Sequence, residues 1–430
     1  MSYGMVSAHA VVFVDRYIRS CLQESRTMAT SPIAAHPMAV QRNQWIDFFR
    51  GLALIFIVVD HIALSPLSHF TMRNYALCDA SELFVFISGL AATIAFSKVS
   101  ARSGVQTAST RMYRRSGKLY LAYLATALGL SLAGALLNHY GLEYRALWGG
   151  FGSYLVEDPL GYMVALVTLF TQPSLANILT VYVILMSLVP LFVRGLTRAP
   201  ILLLGVSFIV WWLAPQLNTL LPSDMPTGYF YNPFAWQFIF ILGMTFGIRG
   251  PEILAALDRN IAKVTWAAGI FAALAAAQAF VWQMPDVRAI FPPKEVTDWL
   301  YPISKSDLHV LRLLSFLSLA WLVRLTVNRI SADWTKAPLR WFTLIGRNGL
   351  PCFTLGTGIS LVGDVINLNS HIPGVSYAVD LVAVVLMIFI GWATEEWDRR
   401  RKTWSPAAGT SKSGAVAVPA PAPRKIPKEV

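Results

Sequence analysis

The chain has 430 residues, 55% of them hydrophobic and only 13% charged, against about 25% charged in soluble domains. With a mean hydropathy of +0.53, this excludes a soluble enzyme and leaves no length for a sizeable soluble catalytic domain. The net charge of +12 does not point to nucleic acid, because the Lys and Arg stand between apolar runs rather than on one amphipathic face.

In chain order, residues 1–41 hold a short apolar patch followed at once by Asp15, Arg16, Arg19 and Glu24, which is not the layout of a secretory signal. They read as a mobile extension, with Met28 and Met38 as alternative starts. Runs long enough to cross about 30 Å of hydrocarbon follow at Ile46–Leu64, Glu82–Lys98, Leu119–Leu137, Leu175–Val193, Ile201–Leu213, Phe234–Ile248, Val264–Trp282, Val310–Val327, Leu339–Val362 and Tyr377–Trp397. Leu160–Thr171 is too short to span and reads as interfacial or re-entrant. The expected fold is an all-α integral membrane protein, a single polytopic bundle of about ten transmembrane helices over residues 42–402, with a disordered tail at 403–430 rich in Pro, Ala and Lys. Cys21, Cys78 and Cys352 are widely spaced and form no CxxC, so neither a metal cage nor a disulfide framework is indicated.

Alternate loops are basic. Lys98, Arg102, Arg111, Arg114, Arg115 and Lys118 follow the second run; then come Arg194 and Arg198; Arg249, Arg259 and Lys263; Arg324, Arg329, Lys336 and Arg340; and Arg399–Lys402. The positive-inside rule then places both termini in the cytoplasm.

The first run, "WIDFFRGLALIFIVVDHI", accepts Asp47, Arg50, Asp60 and His61, although Asp or Arg at mid-bilayer costs roughly 2.5 to 3.5 kcal/mol on insertion scales. At about 100° per residue Asp47, Arg50 and His61 share an arc of about 60°, and Arg50 and His61 stand roughly 16 Å apart along the axis. Such a stripe faces protein or a water-filled cavity. Asp47 and Arg50 have the i, i+3 spacing of a helix-end ion pair. His61 suits a general base, since a partly buried imidazole is neutral near pH 7; polar packing is the alternative.

These residues carry a resemblance. "IDFFRGLALIFIVVDH" resembles the first-span signature of the family 3 membrane acyltransferases, "ELFVFISGL" (Glu82–Leu90) is similar to their second-span motif, and "RMYRR" (Arg111–Arg115) to their Arg-x-x-Arg element. More closely, "RNQWIDFFRGLALIFIVVDHI", "FTMRNYALCDASELFVFISG", "YNPFAWQFIFILG" and "LIGRNGLPCF" resemble the OpgC family, over roughly Arg42 to Arg400. That likeness implies a succinyltransferase-like O-acyltransferase of the bacterial inner membrane. It would take an acyl group from cytoplasmic acyl-CoA, with succinyl-CoA the expected co-substrate and no tightly bound cofactor, and deliver it to a hydroxyl of a periplasmic glucan or other polysaccharide. By that likeness His61 is base or acyl relay, Asp47 and Arg50 shape the cytoplasmic mouth, and Arg111 and Arg114 meet the CoA phosphates, as guanidinium geometry permits. No proline closely follows the Arg pair here, a departure from the commoner family 3 pattern. Read without the likeness, Arg111–Arg115 is a topology signal.

Asn232, Trp236 and Gln237 open the sixth run and are candidates for sugar binding, Trp236 by stacking; belt residues are the alternative. Asp307, His309 and Arg312 precede or open the eighth run, His309 as second choice for acid–base work and Asp307 as a helix cap. Arg347 is a candidate donor-phosphate ligand or a structural tie to Asp47, and Pro351 a kink. Ser88 and Gly89 suit close helix approach, and Glu82 reads as solvated or as part of that second run. The rival function is a transporter of a glycan or small anion whose path the stripe lines; the chain shows no internal repeat of its polar segments.

Overall fold

The computed structural model describes residues 44–284, 303–327 and 338–404, with positions 287 and 296. The expected N-terminal extension, Arg329 and Lys336, and the tail from residue 405 lie outside the described residues. Among those described, every regular element is helical.

The first helix, α1 (Gln44–Asp60), has Gly51 as its one interior residue of low helix propensity. It stops earlier than the sequence pattern suggests. His61 and Ile62 bond back to Val58 and Val59, an i→i−3 pattern, at 3.3 and 3.2 Å, and Leu64 turns at φ 57 ahead of Pro66, so the α-type ladder cannot continue. His61 is therefore the first residue beyond the helix rather than part of its stripe.

The second helix, α2 (Ala80–His139), is 60 residues long and joins two runs that read as separate spans. Its start is a capping box: the Asp79 carboxylate accepts from Ser81 N–H at 2.8 Å, and the Asp79 N–H donates to Glu82 at 2.9 Å. The basic stretch between the runs is not a loop. Its four Arg and two Lys, with Ala101, Gln106, Ala108 and Met112, favour helix, and only Gly104, at φ 82 and ψ 159, leaves helical geometry. There the helix folds into two arms.

Two short helices follow, α3 (Phe151–Glu157) and α4 (Pro159–Val167), separated at Asp158. The Asp158 carboxylate caps α4 by accepting from Gly161 N–H at 2.9 Å. At nine residues α4 is too short to span. Next come α5 (Asn177–Arg198), α6 (Pro200–Trp212), α7 (Ala214–Asn218), α8 (Pro233–Asp258), α9 (Ile261–Gln283) and α10 (Val310–Val327). Two further helices, α11 (Pro338–Arg347) and α12 (Gly349–Asn369), replace the expected ninth span, and α13 (Val375–Trp404) ends the fold. The break falls at Asn348 rather than at Pro351. Pro351 sits in the first turn of α12, where a missing N–H costs nothing, while Asn348 turns its side chain onto the Leu344 and Gly391 carbonyls, both at 3.0 Å.

By length and apolarity, seven helices among the described residues can cross a bilayer: α2, α5, α8, α9, α10, α12 and α13 up to Arg401. This is a membrane protein. Its helices meet through small residues, as bilayer packing requires where no hydrophobic force separates helix from lipid. A Cβ on Gly51 would collide with the Phe342 carbonyl and one on Gly346 with that of Asp47, so α1 and α11 touch backbone to backbone. Gly89 and Gly243 make the same reciprocal contact between α2 and α8, against the carbonyls of Phe240 and Phe86. Trp236, Phe240, Tyr123 and Phe316 are among the fully buried side chains of the core.

Candidate functional site

Helix α1 and the first arm of α2 are packed neighbours joined by the connection at residues 61–79, which carries 3-10 turns at Leu67–Phe70 and Met72–Asn74. Polar groups gather at both of their ends. At the bend in α2, its two arms enclose a cleft of about 860 Å³ lined by Lys98, Arg102, Gln106, Thr107, Thr110, Arg111 and Arg114. Four of these are cations, and the volume falls within the range of small-molecule sites, about 300 to 1,000 Å³. The bend at Gly104 is what brings the Lys98 and Arg102 arm to face the Arg111 and Arg114 arm.

At the start of α1, Asp47 is buried and stands 3.7 Å from Arg50 and 3.8 Å from Arg347. Arg347 reaches Glu395 of α13 at 3.8 Å. The sequence-predicted Asp47–Arg50 pair is present, and Arg347 joins it across α11.

The opposite end holds His61. Its ring is half-buried, and Nδ1 lies 2.6 Å from the carbonyl oxygen of Ile57, so a neutral imidazole donates there and presents Nε2 with its lone pair. Beside it, the Asp60 carboxylate accepts from the Thr71 hydroxyl at 2.6 Å and lies 3.9 Å from Arg73. It makes no hydrogen bond to His61.

Near this end four ionisable groups interlock. Arg312 donates through Nε to Glu82 at 2.7 Å and through a terminal nitrogen to Asp79 at 3.1 Å, and Lys305 Nζ stands 2.7 Å from Asp79. The Glu82 side chain is 0% exposed, so it is neither solvated nor merely part of a helix crossing. Burial alone would raise the Asp79 carboxyl, but Lys305 and Arg312 outweigh it and hold the group well below the usual carboxylate range. Burial and the nearby Arg312 would lower the Lys305 ammonium, but Asp79 and then Tyr231 outweigh them and raise it. Lys305 also lies 5.6 Å above the ring of Tyr231, whose hydroxyl meets Ser81 at 2.9 Å.

The candidates for sugar binding divide. Asn232 is fully buried: its amide donates to Asp307 at 2.9 Å and to the Ala214 carbonyl at 2.8 Å, while its oxygen caps α8 at Phe234. Trp236 donates from its indole to the carbonyls of Ser306 and Lys305 at 3.0 and 3.2 Å. Together they hold the segment that carries Lys305. Asp307 takes Asn232 and the Ser304 hydroxyl rather than capping α10, which starts three residues later. Gln237 pairs with Ser207 of α6 at 2.6 and 2.8 Å, within the α6–α8 contact. His309 is half-buried, and burial, then Arg312, lowers its pKa.

No sequence spacing marks Lys305, Asp79 and the Arg312–Glu82 pair as one site, since 230 residues separate Glu82 from Arg312. Asp79 and Glu82 do form a capping-box pattern, but nothing local links residue 82 to residue 312.

No curated protein matches the chain. The family model described as OpgC protein matches residues 42–399, which takes in every helix described above but the last residues of α13. The chain belongs to the OpgC family, membrane proteins with an acyltransferase-like transferase role.

Proposed function

We propose that this chain transfers an acyl group, with succinyl the expected one, from cytoplasmic acyl-CoA to a hydroxyl of a periplasmic glucan or other polysaccharide. One observation carries the reading: His61 spends Nδ1 on the Ile57 carbonyl at 2.6 Å and keeps Nε2 for chemistry, at the end of α1 remote from the basic cleft. A donor rich in phosphate suits four converging cations, and Arg111 and Arg114, beside Arg102, supply guanidinium groups that can grip it in bidentate fashion. The pantetheine arm spans the distance along α1, roughly 16 Å from Arg50 to His61 by helix rise.

In the reaction, Nε2 takes the proton of the acceptor hydroxyl as its oxygen attacks the thioester carbonyl. The imidazolium then returns that proton to the departing CoA thiolate. An acyl-imidazole relay would use the same lone pair. Asp47 and Arg50 fix the mouth at the start of α1, and Arg347, 37% exposed and tied to Asp47, adds a donor contact there. Asn232 and Trp236 serve the acceptor side by holding the Lys305 segment, Gln237 by bracing α8, and His309 as an accessory acid or base.

This reading counts ten traverses: two for α2, one for α11 with α12, one each for the short α1 and α6, and one for each of the five remaining long helices. Both termini face the cytoplasm of a bacterial inner membrane. Glycan mass spectrometry of a deletion strain carrying wild type, His61→Ala or Arg114→Ala tests it. Both variants are expected to lose one acyl mass from the glycan at normal membrane levels, His61→Ala by a factor of about 10² to 10⁴. An unchanged glycan profile with altered uptake or export would replace the enzyme with a transporter.

A further inference from the structure

His61 lies outside regular helix, held to α1 only by its N–H on the Val58 carbonyl at 3.3 Å and its Nδ1 on the Ile57 carbonyl at 2.6 Å, so the direction of its ring also depends on how the chain leaves the helix. Two residues later, both polar backbone groups of Ala63 are taken by side chains of one helix. The Ala63 N–H donates to Asp364 Oδ1 at 3.1 Å, and the Ala63 carbonyl accepts from Asn367 Nδ2 at 2.8 Å. Asp364 and Asn367 stand three apart on α12, hence on one face, and both are buried, at 1% and 5% exposure. One turn earlier on that face, the Ser360 hydroxyl donates to the Val58 carbonyl at 3.0 Å. The other oxygen of Asp364 accepts two more amides, from Arg145 at 2.6 Å and Ala146 at 2.9 Å, in the segment between α2 and α3. A carboxylate that accepts three backbone N–H groups from two separate segments is a fixed point. Leu64, next in the chain, is held in the left-handed region at φ 57 without being glycine, a conformation that persists only where neighbouring contacts over-determine it.

The geometry points to Asp364 and Asn367 as positioning residues. They clamp the Ala63 peptide from α12 and thereby set the direction in which His61 presents Nε2. This rests on the reading of His61 as the acid–base or relay group. Asp364→Asn keeps the size of the side chain but can turn an amide N–H against a backbone N–H, and Asn367→Ala removes the grip on the carbonyl while leaving the carboxylate in place.

The test uses the full chain in nanodiscs, with succinyl-CoA and periplasmic glucan as probes. Each clamp variant is expected to lose at least tenfold in kcat, with KM for succinyl-CoA within twofold of wild type and unchanged extraction yield. A kcat within twofold of wild type in both variants would overturn the clamp. If Asp364→Asn does not accumulate, Asn367→Ala decides alone. If His61→Ala retains transfer, or wild type shows none, the reading of His61 has failed, and the clamp is then judged apart from it. In a His61→Cys chain that also carries Cys21→Ser, maleimide labelling at position 61 should change more than threefold on adding Asn367→Ala. An unchanged labelling rate overturns the clamp on its own terms.

Discussion

The Arg312 guanidinium lies between two carboxylates, with 12% of its side chain exposed and Glu82 wholly enclosed. Removing one member of such a buried pair leaves the other as an uncompensated charge, which costs about 3 to 5 kcal/mol, whereas replacing both is far cheaper. Arg312→Met is therefore expected to lower the melting temperature of the detergent-solubilised protein sharply, and the added change Glu82→Gln to restore part of the loss, since Lys305 still answers Asp79 at 2.7 Å. Equal melting temperatures for the single variant and wild type would contradict the network. Legibility in the sequence also divides at this scale. Asp47 and Arg50 are three residues apart, and helix geometry alone pairs them. Glu82 and Arg312 are 230 residues apart, and no periodicity links them. Asn232 and Trp236 read as sugar ligands because Asn and Trp at a helix start look available; their partners come from the Ser304–Asp307 segment, which local spacing cannot anticipate.

Among the elements, α2 shows where hydropathy misleads. Charge between two apolar runs reads as a loop, yet polar helix formers carry the helix through it, and only Gly104 interrupts. At φ 82 and ψ 159, with nothing near enough to obstruct a Cβ, position 104 excludes other residues by backbone strain rather than by space. Gly104→Ala would pay about 1 to 3 kcal/mol to keep the bend, or release it and straighten the arms. Straightening separates Lys98 and Arg102 from Arg111 and Arg114 and opens the cleft. The expected result is a rise of several-fold in KM for acyl-CoA with kcat retained, since His61 lies at the far end of α1. A fall in kcat alone would detach the bend from donor binding. The end of α1 and the break at Asn348 escaped the sequence for a related reason: hydropathy registers where a chain is apolar, whereas i→i−3 bonding and a residue in left-handed geometry decide where a helix ends.

Across the molecule, charge is distributed unevenly. The α2 bend gathers Lys98, Arg102, Arg111 and Arg114 with little counter-charge among the cleft residues, while at the His61 end Lys305 and Arg312 are matched by Asp79 and Glu82, and Arg73 stands beside Asp60. Unpaired Lys and Arg near span ends resist translocation and are drawn to anionic inner-leaflet lipids, at about 1 kcal/mol for each residue at the surface. Matched pairs present little net charge to that field. The bend should therefore face the cytoplasm and His61 the opposite side, the arrangement that a donor made inside and an acceptor held outside would need. Single cysteines report this directly. In intact spheroplasts, a maleimide that does not cross membranes should label His69→Cys, in the exposed connection between α1 and α2, and should label Arg102→Cys only after permeabilisation. The reverse pattern would put the basic cleft outside, where no acyl-CoA pool exists to fill it, and would end the case for transfer across this membrane.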